Sequence, residues 1–466
     1  MRGAVAAGHP LTAEAGACVL EAGGNAVDAC VAAACVSWVC ESPLTGPGGG
    51  GFMLVHDTDG RSRLFDFFVT VPCESSGGGD LLRLEIDFDG DTQQVFQTGP
   101  AAVAVPGVAL GLETAHRSFG SLPWADLVAP AARLARDGFE LTPPQGYLHR
   151  ILDGLLRHSP EGDAMYRGGD GGPLRAGERV VLPDFASTLE RIAAEGADVL
   201  YRGDLARRIV DHVRAGGGGL RLEDLDGYRV VEREPHASAY RGHELRTNPP
   251  PSSGGALIAF GLDALGDRDP GPVAVVEAME AQEAARGGGL LSGTTHISVV
   301  DADGAAASLS ASLGSGSGVV VPGTGIHLNN MLGEADLAGD AQPGERLTSM
   351  MAPSVVLRDG RTRLVVGSAG SARLRGAILQ VVANVVGRGM GVEDAVDAPR
   401  VHAEGGVVYC EDAAAADTIE ATGREVVRFR RHNLFFGGVS AVEVRADGTL
   451  AAAGDPRRGG AGVVVE

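Results

Sequence analysis

The sequence predicts an α/β protein whose helix-rich first half leads into a strand-rich second half. Two patterns say so. Apolar residues recur at helical spacing through Leu265, and beyond Thr294 short β-branched or alternating runs are punctuated by Asp-Gly turns. A length of 466 residues, 44% of them hydrophobic and only 21% charged, then allows a sizeable core in one large α/β unit or two domains. Aromatic residues make up 5% and glycines number 71, so small side chains must do much of the packing.

The first predicted helix, residues 12–22, is amphipathic and ends at Gly23-Gly24. The second, residues 25–39, is small and almost wholly apolar, and should be buried. It runs into Pro43 and the turn-rich Gly46-Pro47-Gly48-Gly49-Gly50-Gly51, followed by a strand over 52–56. A glycine run can cradle an anion or let backbones pack closely beneath a site. This one lacks the spacing and downstream acid of a dinucleotide fingerprint, so no nucleotide is expected.

Residues 73–95, rich in glycine and acid, read as a surface insertion. The pattern turns helical over 122–138 and 184–227, where Leu189, Ile192 and Ala193 share one face and Leu205 and Ile209 another. From Asn248 to Gly255 the chain should be extended, because each proline pushes its predecessor out of the α region. After a helix over 258–265, Gly287-Gly288-Gly289 predicts a flexible stretch. Strands are predicted at 297–300, 306–310, 319–321, 354–357 and 363–366, with turns at Asp303-Gly304 and Asp359-Gly360. No internal repeat or clean linker divides the chain.

Composition removes several functions. The chain has no lysine, which rules out a Walker-A phosphate loop, a pyridoxal Schiff base and a lysine nucleophile. Its formal charge of −21 opposes nucleic acid and anionic membrane surfaces. The six cysteines show no CxxC pair and read as buried free thiols of a reducing compartment. With no long apolar stretch near the start, and none of membrane-spanning length, a cytoplasmic protein is expected. The histidines form no HExxH, Asp87-Phe88-Asp89 lacks calcium-loop spacing, and GxSxG is absent, so neither metal nor cofactor is expected. His9, His296 and His402 read as structural.

What remains is Gly293-Thr294-Thr295-His296, at a loop-to-strand transition. A threonine hydroxyl is a weak nucleophile without an adjacent base, and a free α-amino group on the same residue can provide one. That requires cutting the bond between Gly293 and Thr294. Glycine suits the cut, since it tolerates the strained geometry of an N-to-O acyl shift.

The stretch from Thr294 to Gly304 resembles the start of the small subunit of γ-glutamyltranspeptidases. Upstream, His9-Pro10-Leu11, Gly23-Gly24-Asn25-Ala26-Val27-Asp28-Ala29 and Gly48-Gly49-Gly50-Gly51-Phe52 resemble the N-terminal signature of that family. Val105-Pro106-Gly107, the Asn248 to Gly255 run, Leu328-Asn329-Asn330, Asp397-Ala398-Pro399-Arg400 and Gly454-Asp455-Pro456-Arg457 follow in family order, covering nearly the whole chain. The resemblance implies a four-layer αββα sandwich of the N-terminal-nucleophile hydrolase type. It also implies a single unit, 1–466, that cuts itself into a large chain, 1–293, and a small catalytic chain, 294–466, which stay together as a heterodimer.

By the same resemblance Thr294 is the nucleophile and Ser312 stands where a threonine orients it. The stretch from Ser368 to Arg373 matches the family's oxyanion loop, so the amides of Gly370 and Ser371 are the expected donors. The γ-glutamyl recognition shell is altered. Phe68 replaces an arginine, Gly314 falls on the asparagine beside a short deletion, Met331 replaces a glutamine and Glu334 an aspartate. Of the serine pair Ser349 remains, and Met350 replaces its neighbour.

A carboxylate left unpaired there would cost several kcal/mol, so γ-glutamyl selectivity should be nearly abolished. The expected activity is hydrolysis or transfer of a different, less polar acyl group from a small-molecule amide. The alternatives are a true γ-glutamyl hydrolase with recognition relocated to Arg346 or Arg375, a carbon–carbon bond hydrolase of a secondary-metabolite pathway, or a non-processing binding protein.

Overall fold

The computed structural model describes residues 2–74, 79–87, 93–286, 294–334, 341–370 and 373–466, and in it two antiparallel sheets lie between layers of helix, the αββα arrangement. The first has seven strands, in the order Ala461–Val465, Gly3–Ala7, Thr295–Asp301, Ala306–Ser312, Gly50–His56, Ser62–Phe67, Val231–Arg233. The second has six: Leu450–Gly454, Gly438–Val444, Arg361–Ala369, Ser354–Arg358, His243–Thr247, His236–Tyr240. Both sheets therefore take strands from either side of Thr294.

Period-two alternation decides which side chains face where. Val5, Ala7, Met53, Val55, Ile297, Val299 and Leu309 pack outward against the Pro10–Glu21, Ala26–Cys40, Val108–Phe119 and Trp124–Asp137 helices. Their neighbours Ala4, Ala6, Phe52, Leu54 and Val300 turn inward to the second sheet. That sheet is covered on its far side by Gly254–Leu265, Pro272–Arg286 and Leu374–Val382. The inner layer is partly polar: Ser298 donates to the Ser440 carbonyl at 2.9 Å, and the Ser354 amide donates to Ser308 Oγ at 3.0 Å.

The Ala26–Cys40 helix is buried at every residue, as its composition predicted, and Asn25 caps it together with Asp28 in a capping box. Leu189, Ile192, Leu205 and Ile209 are buried on their helices. Asp359 and Gly360, at φ 51° and 74°, make the tight turn between Ser354–Arg358 and Arg361–Ala369.

Three expectations are corrected. The helix-rich first half holds more strand than the one expected at 52–56, which is present as Gly50–His56: Gly3–Ala7, Ser62–Phe67, Val231–Arg233, His236–Tyr240 and His243–Thr247 also supply strands to the two sheets. Gly254 and Gly255 open a helix rather than extending the chain, and they pack so closely on the Met350 and Asn248 carbonyls that a Cβ on either would collide. Not every thiol is buried; all six are unpaired, but Cys18 and Cys73 are exposed. Within 73–95, Leu82–Asp87 pairs with Gln93–Thr98 as a hairpin, while Gly287-Gly288-Gly289 lies outside the described residues. No helix among the described residues is long and apolar enough to cross a membrane.

Candidate active site

Thr294 immediately precedes the Thr295–Asp301 strand, in the interior of the first sheet. By alternation it shares the inward face of His296 and Ser298. It is fully buried, and its Oγ1 has no hydrogen-bond partner among the described residues. A buried hydroxyl left without a partner is costly, and its survival marks a position with another use.

Thr295 pairs with Ala311 across the antiparallel ladder, and continuing that register by one step sets Ser312 opposite Thr294. Ser312 is buried, and its Oγ accepts the Gly314 amide at 2.8 Å, which fixes its rotamer. Strand pairing thus brings together Thr294, the expected nucleophile, and Ser312, its expected orienting residue.

Gly370 ends the Arg361–Ala369 strand at φ 119°, where a Cβ would come within 2.6 Å of Gly437 Cα. No other residue fits that turn. Ser371 and Gly293, the second expected oxyanion donor and the residue before the cut, lie outside the described residues.

Thr294 opens on a pocket with apolar walls from Pro43, Leu44, Pro144 and Leu148 and polar ones from Glu41, His149 and Arg458. Glu41 is a residue that sequence reasoning missed. It caps the C-terminal end of the buried Ala26–Cys40 helix, and its carboxylate accepts the Thr12 hydroxyl at 2.8 Å and the Thr295 hydroxyl at 2.7 Å. Burial raises its carboxyl above the ordinary range, while the two hydroxyls and the Arg458 guanidinium pull it back. The signal was an acid closing an otherwise apolar run. His296 is no base for Thr294: burial lowers it to about 3, and Ser310 and Ser298 engage its two ring nitrogens at 2.8 and 3.0 Å.

The altered recognition positions fall outside the residues that line this pocket. Gly314 follows the Ala306–Ser312 strand, and a Cβ there would collide with Asn330 Oδ1 and lie 2.7 Å from Glu334 Oε1. Phe68 follows Ser62–Phe67 and stacks on Phe52 at 5.4 Å. Met331 and Met350 join the same apolar cluster, with Met350 Sδ 3.0 Å from the Ser253 hydroxyl. Ser349 Oγ accepts the Met351 amide at 3.1 Å. Phe68, Met331 and Met350 are thus taken up by core packing, and none of the six positions lines the Thr294 pocket.

Neither arginine expected as a substitute stands in that pocket. Arg346 donates to the Phe68 and Arg229 carbonyls and to the Tyr228 hydroxyl, closing a loop. Arg375, fully buried, lies with Arg373 and His402 near Glu404. Burial alone would raise the Glu404 carboxyl, but these groups outweigh it and hold it at about 2. Among the described residues no group of three or more His, Cys, Asp or Glu could hold a metal ion.

Comparison with known proteins agrees with this geometry. The Gamma-glutamyltranspeptidase family model matches residues 12–287 and 276–465. The chain is 35% identical over 529 residues to the acylase ACY 1 proenzyme of Pseudomonas sp. (strain SE83), covering 100% of this chain and 94% of that one. It is 33% identical over 548 residues to the glutathione hydrolase proenzyme of Pseudomonas aeruginosa, covering 100% and 95%. Among solved structures, cephalosporin acylase from Bacillus halodurans superposes with a TM-score of 0.83 at 26% identity, covering 100% and 96%.

Proposed function

Because this chain belongs to the gamma-glutamyltranspeptidase family and is a self-processing N-terminal-nucleophile hydrolase, we propose that Thr294 is both its cleavage point and its nucleophile, acting on an amide whose acyl group is not γ-glutamyl. The observation that carries the reading is the buried, unpartnered Thr294 Oγ1 at the wall of a pocket, opposite Ser312.

In the first reaction Thr294 Oγ1 attacks the Gly293 carbonyl and the chain shifts from nitrogen to oxygen. That shift breaks the Gly293–Thr294 C–N bond and frees the α-amino group; water then hydrolyses the ester, leaving a Gly293 carboxylate and a free Thr294 hydroxyl. In each turnover that amine takes the Oγ1 proton as the oxygen attacks the substrate amide. The oxyanion is held by the Gly370 and Ser371 amides, and the proton passes to the departing amine. Water or a second amine then releases the acyl group from Thr294. Ser312 aligns the hydroxyl throughout.

The changed acyl preference is supported by the packing of Phe68, Met331 and Met350 into core where polar contacts to a glutamyl group would be needed. The acylase names of two relatives point the same way. The test is intact mass of the purified protein beside Thr294→Ala, followed by amide turnover. Fragments meeting at Gly293 and Thr294 in the wild type alone, with glutamate release from a γ-glutamyl anilide far slower than release of less polar acyl groups, are expected. An uncut wild-type chain would overturn the nucleophile, and efficient glutamate release would overturn the acyl preference.

A further inference from the structure

We propose that Arg458 binds a carboxylate of the substrate in the Thr294 pocket, so that the amide cleaved here carries an anionic group on its acyl or its amine half. The inference rests on the reading of Thr294 as nucleophile.

Arg458 lies in the short strap, Asp455 to Gly460, that links Leu450–Gly454 to Ala461–Val465. Its two neighbours in charge are already satisfied. Arg400 pairs with Asp455 at 2.5 Å, and Arg457 pairs with Glu411 at 2.5 Å and Asp455 at 3.2 Å. Asp455 also accepts the Val439 and Arg457 amides, so both its oxygens are occupied. Arg458 makes no such pair: no ion pair or side-chain hydrogen bond engages its guanidinium among the described residues, and its Nε is buried without a partner.

The guanidinium is aimed at the chemistry. It lines the pocket onto which Thr294 opens, and its Nη2 lies 3.3 Å from where a Cβ on Gly370 would stand, beside the oxyanion turn. Burial lowers it only to about 10, with Asp455 and Glu41 raising it and Arg400 lowering it, so it carries its charge at neutral pH.

The other polar walls do not compete for that charge. The Glu41 oxygens are spent on Thr12 and Thr295, and burial favours its neutral form. Burial keeps His149 neutral, at about 4. Of the remaining walls, Pro43, Leu44, Pro144, Leu148 and Leu434 are apolar, while the polar ones are engaged elsewhere: Gln145 donates to the Cys40 carbonyl, His296 is held by Ser310 and Ser298, and Asp455 and Arg457 are paired as above. A pocket with one unpaired cation and aliphatic walls fits a short aliphatic chain ending in an anion, and the planar fork of arginine suits a carboxylate.

Two pairs of amides test this in the processed protein. Glutaryl against butyryl 4-nitroanilide puts the carboxylate on the acyl half, and butyrylglycine against butyrylglycinamide puts it on the amine half. In the wild type one pair should show a preference of about tenfold or more in kcat/KM for the carboxylate-bearing member. Arg458→Gln should collapse that ratio towards one, chiefly through KM, and Arg458→Lys should restore part of it.

No preference in either pair, or one that survives Arg458→Gln, overturns the proposal. The reading of Thr294 fails separately, on an uncut wild-type chain, whereas turnover of none of the four amides moves the question to binding. Calorimetric titration with glutarate and with butyrylglycine then decides the role of Arg458 by itself. Binding of either that weakens about tenfold or more in Arg458→Gln upholds it, and absent or unchanged binding overturns it.

Discussion

Replacing Glu41 tests the architecture behind the nucleophile. Glu41 receives the hydroxyls of Thr12 and Thr295, all three side chains being buried. Glu41→Ala leaves two buried hydroxyls without an acceptor, at about 1–3 kcal/mol each, so a loss of about 2–5 kcal/mol is expected. Thr12 keeps only its 3.3 Å contact with Cys40 Sγ. Glu41→Gln keeps one carbonyl acceptor and the shape, and should cost about 1 kcal/mol at acid pH.

The glutamine variant should then gain on the wild type as pH rises. Burial raises the folded-state carboxyl above 4.5, the value it takes when unfolded. Below 4.5 the group is neutral in both states and costs nothing. Stability is lost as pH climbs from there through the folded value, by about 1.4 kcal/mol for each pH unit between the two. Glutamine does not titrate and escapes that loss. Urea unfolding at pH 5 and pH 8, in the uncut Thr294→Ala background so that a single chain unfolds, measures both effects. Equal stability of the alanine and glutamine variants, or a glutamine deficit that widens with pH, would refute the reasoning.

Ser312→Ala should slow self-cleavage by about 10–100-fold through loss of alignment, with Ser312→Thr restoring it; a time course of fragment appearance checks this, and an unchanged rate removes Ser312 from the site. Phe68→Arg, which reinstates the family residue alone, should destabilise the fold by several kcal/mol, because a charge replaces a ring that is 1% exposed and stacked on Phe52. It should bring no γ-glutamyl activity, and a variant that melts like the wild type while hydrolysing γ-glutamyl anilide would contradict this. Burial holds His149, His296 and His327 at about 4, 3 and 4 against an ordinary 6.5. The stability they confer is present above 6.5 and lost as pH falls towards those values, so unfolding at pH 5 should be easier than at pH 7 by up to about 2 kcal/mol for each. A flat pH profile would mean that these rings are hydrated.

Much of the fold was legible because its signals are local. The apolar run before Cys40, the Asp359-Gly360 turn and the β-branched runs after Thr294 each dictate their own geometry. The strands Gly3–Ala7 and Val231–Arg233 were missed because each is short and pairs only with strands distant in sequence, Thr295–Asp301 and Ala461–Val465 for the first and Ser62–Phe67 for the second. Thr294 was singled out from its neighbours in sequence, and Ser312 from the family pattern, and strand register sets the two opposite each other. Glu41 and Arg458 could not, since their importance depends on which charges remain unpaired once Asp455 has been shared between Arg400 and Arg457. That allocation exists only in three dimensions.

The edge of the first sheet carries an engineering consequence. Val465 lies opposite Gly3 in an antiparallel ladder, and the Arg2 amide donates to the Val465 carbonyl at 2.8 Å. A tight turn could therefore join these strands, and the gene could be rearranged to begin at Thr294 and finish just before it. Removal of the initiator methionine would then expose the threonine amine directly. The proposed cut before Thr294 would become dispensable, and making the catalyst could be studied apart from using it.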